Sequence, residues 1–222
     1  MQVALAIAAA CTTALLAGEL AFDAPDPLDL DVRHLATTRL RRAGPILAPL
    51  FPLGLPVAYV TGACLTARWL RQRRRGGGPA IVSSAVLGWF AQRLAKRAYP
   101  RERPRRPNVR SRTDSYPSGH TTGVTAVALT TAYVLARQDL ISTRRAAAIA
   151  AGAPAIMGAY RILDDEHWTT DVFGGWLLGG AVALACNAIL ADSLGVARAR
   201  ASAESTRPTR RHVRPARRSS EE

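Results

Sequence analysis

Three short groups of polar residues combine side chains that handle phosphate with spacings that can bring them together. The first is Lys96-Arg97-Ala98-Tyr99-Pro100-Arg101-Glu102-Arg103-Pro104. Lys96 is the only lysine among 30 basic residues, so one compact, flexible ammonium stands where arginine serves everywhere else. It lies just outside an apolar stretch, a position where a lysine can also simply snorkel to an interface. The second group is Ser115-Tyr116-Pro117-Ser118-Gly119-His120. Pro and Ser are ordinary residues at a helix start. The same geometry leaves backbone N–H groups unpaired, and Gly119 lets an anion approach them closely, which makes a phosphate site. A cap does not require His120, which stands in the first turn beside that anion. The third group runs Arg161-Ile162-Leu163-Asp164-Asp165-Glu166-His167-Trp168-Thr169-Thr170-Asp171. If the stretch from His167 is helical, His167 and Asp171 share a face at i and i+4. The carboxylate can then accept the imidazole Nδ1–H and leave the other nitrogen as nucleophile or base. A surface ion pair, or an acidic patch of Asp164, Asp165 and Glu166, would use the same residues.

Taken together, the groups supply three cations (Lys96, Arg103, Arg161), an anion cradle at a helix N-terminus, and two histidines, one with an orienting carboxylate. Phosphoryl transfer spreads negative charge over non-bridging oxygens, so its catalysis is mainly positioning and electrostatic stabilisation. A cationic clamp of this kind can provide that without a metal. No dense set of carboxylates at ligand spacing lies beside it, and a metal-independent reaction with no cofactor is expected. The three cysteines, Cys11, Cys64 and Cys186, sit in apolar runs without paired spacing, which excludes a disulfide framework or a zinc site.

The elements that must hold these groups are apolar. Of 222 residues 48% are hydrophobic but only 6% aromatic, and the formal charge is +14. The near-zero mean hydropathy averages long apolar runs and short charged blocks, the pattern of a multi-span membrane protein and not of a disordered chain. Six segments approach the ~20 residues that a bilayer core requires. They are Val3–Phe22, Pro45–Leu65, Pro79–Leu94, Thr122–Ala136, Ala146–Ile162 and Val172–Leu194. The first lacks a basic leader region and carries Glu19, so it reads as a retained span. An all-α, six-span transmembrane bundle is predicted, with the site at its outer membrane surface. The Gly174-Gly175-Trp176-Leu177-Leu178-Gly179-Gly180 run is predicted to permit close helix packing.

With six spans both termini share a face with Arg68, Arg71, Arg73, Arg74 and Arg75, with Arg137, Arg144 and Arg145, and with eight arginines after Gly195. The positive-inside rule puts that face in the cytoplasm of a plasma-membrane protein. The opposite face carries eight basic residues between Lys96 and Arg112, and an external loop that breaks the rule needs another purpose. Residues 1–196 are read as one transmembrane domain and 197–222 as a basic, disordered cytoplasmic tail. The tail has no aromatic residues among its arginines and no folded module, so nucleic acid is not an expected partner.

The pattern Lys-x6-Arg-Pro, Pro-Ser-Gly-His, Arg-x5-His-x3-Asp, present at Lys96–Pro104, Pro117–His120 and Arg161–Asp171, resembles the type 2 phosphatidic acid phosphatase (PAP2) family. One departure is Tyr160, where the family usually has Ser before the arginine of the third motif. The resemblance implies a membrane lipid phosphatase acting on a lipid phosphate or diphosphate. In that role His167 would attack phosphorus and form a phosphohistidine, oriented by Asp171, and His120 would protonate the leaving oxygen. Lys96, Arg103, Ser118, the Gly119 amide and Arg161 would hold the phosphoryl oxygens. Vanadate-dependent haloperoxidases share similar motifs, but they are typically soluble and larger, and the apolar runs count against that reading. A non-enzymatic membrane protein would not need the intact His120, His167 and Asp171 set.

The predicted orientation can be checked by labelling single cysteines in intact cells. A cysteine at Ser111 should react with an impermeant maleimide added outside and one at Ser142 should not; the opposite pattern would invert the topology.

Overall fold

A computed structural model of the chain describes residues 25–104 and 114–205, with side chains as far as Ala191. The expected first span, the arginines from 105 to 112 and the tail beyond Ser205 lie outside the described residues. The chain divides into two units, Met1–Leu190 and Ala191–Glu222. Among the described residues there are seven α-helices and one 3-10 segment, and no strand. They are α1 (Pro27–Thr38), α2 (Ala43–Leu47), the 3-10 segment (Ala48–Gly54), α3 (Pro56–Gln72), α4 (Gly78–Ala98), α5 (Gly119–Arg137), α6 (Thr143–Leu163) and α7 (Thr169–Ser205). The backbone of α7 thus continues past Val196, where charge alone places the domain boundary.

Local signals start the helices. Asp26 caps α1 by accepting from Leu28 N at 2.8 Å, with Pro27 at the first helical position. Ser142 caps α6 by accepting from Arg145 N at 3.3 Å. The predicted span Pro45–Leu65 is not straight: α2 with the 3-10 segment meets α3 at 62°. Pro52 and Pro56 each remove an amide donor, and Leu55, ahead of Pro56, is extended at φ −68°, ψ 141°. The break leaves Phe51 and Gly54 facing the functional residues described below.

By length and composition, α6 and the Thr169–Ala191 part of α7 can cross a membrane, and the bent pair makes a third candidate. Among the described residues the helices thus define two or three crossings by this measure. The segments expected as the third and fourth spans lie within α4 and α5, but Ser84 and Gln92 on α4 and Thr121, Thr122, Thr125 and Thr130 on α5 make both helices more polar. These polar residues are buried, whereas Ile46, Val57, Leu65, Leu94 and Ile189 are among the large apolar side chains left exposed. Small and hydroxyl-bearing residues inside with bulky apolar ones outside is the distribution of a membrane protein, because lipid rewards close backbone approach and hydrogen bonds between helices.

The core combines Tyr59 and Ala63 of α3, Ile81 and Ala85 of α4, and Val134 of α5. Helix α5 packs between α4 and α6, and α7 reaches it through glycine. A Cβ on Gly175 would come within 2.9 Å of the Ser118 carbonyl oxygen, and one on Gly179 within 2.7 Å of Thr125 Cβ. The glycine run therefore does set a close helix contact, although Gly180 faces open space. Trp176 Nε1 donates to the Pro154 carbonyl at 3.0 Å and ties α7 to α6.

This packing predicts that Gly179→Val lowers stability by about 1–3 kcal/mol, the usual cost of overpacking. Gly180→Ala should be nearly neutral. Thermal melts in detergent provide the comparison, and equal effects at the two positions would contradict the close contact.

Candidate active site

The polar groups singled out by sequence converge at the ends of α4, α5 and α6 and the turn before α7. A cavity of about 370 Å³ is lined by Lys96, Arg103, Gly119, His120, Arg161 and His167, with Gly54, Tyr59, Gln92 and Arg93 among the other walls. A Cβ on Gly119 would lie 2.9 Å from Gln92 Oε1, so a side chain here would require the Gln92 amide to move. The first bond within α5 runs from Thr122 N to Ser118 O at 2.9 Å, so the Gly119, His120 and Thr121 amides have no acceptor in their own helix. Ser118 stands apart from the cavity. It is fully buried, its hydroxyl accepts from Thr121 Oγ1 at 2.9 Å, and its amide donates to the Asp171 carbonyl at 2.9 Å.

His167 and Asp171 do meet, but not on one turn of helix. Helix α7 begins at Thr169, and Asp171 in its first turn reaches back to accept from Trp168 N at 2.9 Å, as a capping-box acid does. The same oxygen, Oδ2, lies 3.3 Å from His167 Nδ1 and accepts from Ser115 Oγ at 2.6 Å. Asp171 Oδ1 accepts from Arg101 NH1 at 2.8 Å. With Nδ1–H assigned toward the carboxylate, the lone pair of His167 Nε2 faces Arg103 NH1, 3.2 Å away.

The cations are held by nearby acceptors. Lys96 Nζ donates to the carbonyl oxygens of Asp114 and Ser115 at 2.5 and 3.1 Å. Arg103 NH1 donates to the Glu166 carboxylate at 3.1 Å, and Arg161 pairs with Asp164 at 3.3 Å and with Glu166 at 3.7 Å. Two buried nitrogens, Arg161 Nε and His120 Nε2, have no hydrogen-bond partner. Buried polar atoms are costly to leave unmet, and both residues line the cavity, where a ligand could partner them. Tyr160, which stands in for the usual Ser, is buried; its ring meets Phe51 edge-on at 6.3 Å. The Arg161 guanidinium carbon lies 5.7 Å from the Phe51 centroid and 5.8 Å from that of Tyr160, so the aromatic pair supports the arginine. Phe51 also stacks on His120 with centroids 5.2 Å apart, and Gly54 abuts the same imidazole.

Burial pushes the His167 imidazole down to about 3; Asp171 pulls it upward, and Arg161 and Arg103 depress it further. Burial and then Arg161, Arg103 and Lys96 also bring His120 down to about 3. Beyond the apolar part of α4, burial followed by Arg103 lowers Lys96 to about 7. The two imidazoles are thus neutral near pH 7, and the cavity is electropositive enough to disfavour more cations.

Arg101, Ser115 and Glu166, which lie within the three groups but carried no assigned role, and Asp29, outside them, also join this site. Arg101 is one of eight basic residues in its segment, and Ser115 differs in no way from other loop serines. Asp29 lies 141 residues before Thr170, its partner, so nothing local marks it.

Residues 78–194 match the family model of the PAP2 superfamily, which is more than half of the chain, and the protein belongs to that superfamily. A solved structure with a similar fold is that of the first transmembrane PAP2 type phosphatidylglycerolphosphate phosphatase from Bacillus subtilis. The TM-score is 0.69 at 17% identity, over 84% of this chain and 96% of that one. At that identity the likeness speaks for the fold. Comparison with curated proteins gives no match. The family match starts at Gly78, so Asp29, Phe51 and Gly54 come from elements before it.

A neutral His167 with a fixed tautomer is directly measurable. In protein labelled with 15N-histidine, the His167 ring should keep the shifts of a neutral, Nδ1-protonated imidazole from pH 8 to pH 5. Titration near the ordinary histidine value would contradict the burial and the charge environment.

Proposed function

We propose that the protein is a membrane-embedded phosphatase that removes a terminal phosphate from a lipid phosphate or diphosphate through a phosphohistidine intermediate. The observation that carries this reading is the convergence, around one cavity, of an oriented imidazole with Lys96, Arg103 and Arg161, where Arg161 Nε and His120 Nε2 are buried without partners. Membership of the PAP2 superfamily and the likeness to a transmembrane phosphatase support the same class. The site would lie at the extracytoplasmic face of the plasma membrane, with both termini and the tail from residue 197 in the cytoplasm. A lipid suits a cavity at the ends of apolar helices, since the tail stays in the bilayer while the headgroup reacts.

In this mechanism the lone pair of His167 Nε2 forms the bond to phosphorus as the bond to the leaving oxygen breaks. Asp171 holds Nδ1–H and stabilises the ring as it becomes cationic. Lys96, Arg103, Arg161 and the first amides of α5 meet the charge on the non-bridging oxygens. Ser118, buried and outside the cavity lining, would act by setting the start of α5. His120 protonates the leaving oxygen. Burial is the main cause of its depressed proton affinity, and Arg161, Arg103 and Lys96 add to it; a phosphoryl group that neutralises those cations would raise the affinity again. Water then attacks phosphorus, His120 takes its proton, and His167 is released. The clamp supplies the positive charge, so no metal is required.

Purified protein should release phosphate from a panel of lipid phosphates and diphosphates, with activity surviving EDTA and lost with vanadate. Loss with EDTA and recovery with magnesium would remove the metal-free mechanism. His120→Ala should be severely slowed on a lipid monophosphate but much less on an activated aryl phosphate, whose leaving group needs no proton. Equal loss on both substrates would contradict the acid assignment.

A further inference from the structure

We infer that Asp29, on the helix that precedes the family match, is a positioning residue for the proposed nucleophile, acting through Arg101 to keep one oxygen of Asp171 directed at His167. The inference rests on the role proposed for His167. Asp29 is 1% exposed, in the first turn of α1. Its Oδ1 accepts from Thr170 N at 2.9 Å, and its Oδ2 accepts from Thr170 Oγ1 at 2.8 Å and from Arg101 NH2 at 2.7 Å. Arg101 NH1 donates in turn to Thr170 Oγ1 at 2.6 Å and to Asp171 Oδ1 at 2.8 Å. Two buried carboxylates therefore share one guanidinium, and Thr170 closes the ring between them.

The division of that guanidinium is what matters. An arginine alone with a carboxylate favours a two-pronged pair that engages both oxygens. Asp29 takes the second prong, so Arg101 reaches only Oδ1 of Asp171. Oδ2 stays with Ser115, Trp168 N and His167 Nδ1. Asp29 also fixes the Thr170 amide, which holds the turn that carries Asp171. A second tie presses α1 onto the same loop: Arg33 pairs with Asp165 through bonds of 2.7 and 3.0 Å. The Trp168 ring receives Arg33 and Arg101, with guanidinium carbons 5.6 and 5.7 Å from its centroid. The six residues between Lys96 and Arg103 thus contain one that turns to the two carboxylates and is not among the residues lining the cavity.

The test is a double-mutant cycle in the full-length protein with Asp29→Asn, Arg101→Gln and both together. It is read by turnover, melting temperature and the 15N signals of His167. Asp29→Asn should lower kcat roughly tenfold with KM little changed, about the loss that one charge-assisted hydrogen bond represents in rate. That loss should be clearly smaller in the Arg101→Gln background, with the remainder set by the Thr170 bonds, and each single variant should shift the His167 ring toward a mixture of tautomers. Additive losses, or a lower melting temperature with unchanged His167 signals, would overturn the inference. The ring signals need no turnover, so a wild-type protein that releases no phosphate would sink the proposed function while the link from Asp29 to His167 is still decided. If Asp29→Asn does not fold, Arg101→Gln alone decides, and an unchanged tautomer there counts against the link.

Discussion

Removing a carboxylate from water is costly unless its charge is met by donors in good geometry. Asp171 has no exposure, and it meets that demand with Arg101, Ser115, Trp168 N and His167. The four donors come from three parts of the site, since His167 and Trp168 are neighbours. Arg101 belongs to the loop after α4, Ser115 to the approach to α5, and Trp168 to the turn that opens α7. The Asp171 carbonyl also accepts the Ser118 amide, which joins the start of α7 to the start of α5. One buried anion therefore aligns three chain segments, and the imidazole orientation follows from the same arrangement. Breaking one partner would leave the charge partly unmet, so the network resists piecemeal loosening.

Around that anion the cations are spaced by acids and held off by backbone. Glu166 pairs with Arg103 and Arg161, and Lys96 rests on two carbonyl oxygens. Phe51 and Tyr160 give the Arg161 guanidinium an aromatic bed, and Phe51 also supports His120. Such a clamp requires little rearrangement to meet an oxyanion, since its charges are already placed. The helices behind it pack through small and hydroxyl residues, which lets α7 approach α5 closely enough for the two helix starts to share a hydrogen bond.

Much of this was legible in residue type and spacing. Lys96, Arg103, Gly119, His120, Arg161 and His167, each marked in the sequence by residue type and spacing, do line one cavity. The way His167 reaches Asp171 was less legible. Spacing of four suggests a helical face, whereas the helix starts after His167 and the aspartate arrives as a cap. Ser118 shares its motif with cavity residues, yet its hydroxyl turns to Thr121, a rotamer choice that spacing does not encode. The span over Pro45–Leu65 reads as continuous by hydropathy and is broken by its prolines. Asp29 and Arg101 could not be picked out, since long-range pairing of buried charges leaves no local pattern. The PAP2 superfamily match confirms the family resemblance carried by the three motifs.

In the proposed mechanism His167 carries the phosphoryl group. Rapid acid-free quenching of the enzyme during turnover of a 32P-labelled lipid phosphate, followed by peptide mapping, would locate it. A label is expected on the peptide containing His167, labile to acid and stable to base, and absent from His167→Ala. A covalent phosphate that persists in His167→Ala, or turnover by that variant at a rate near the wild type, would contradict it.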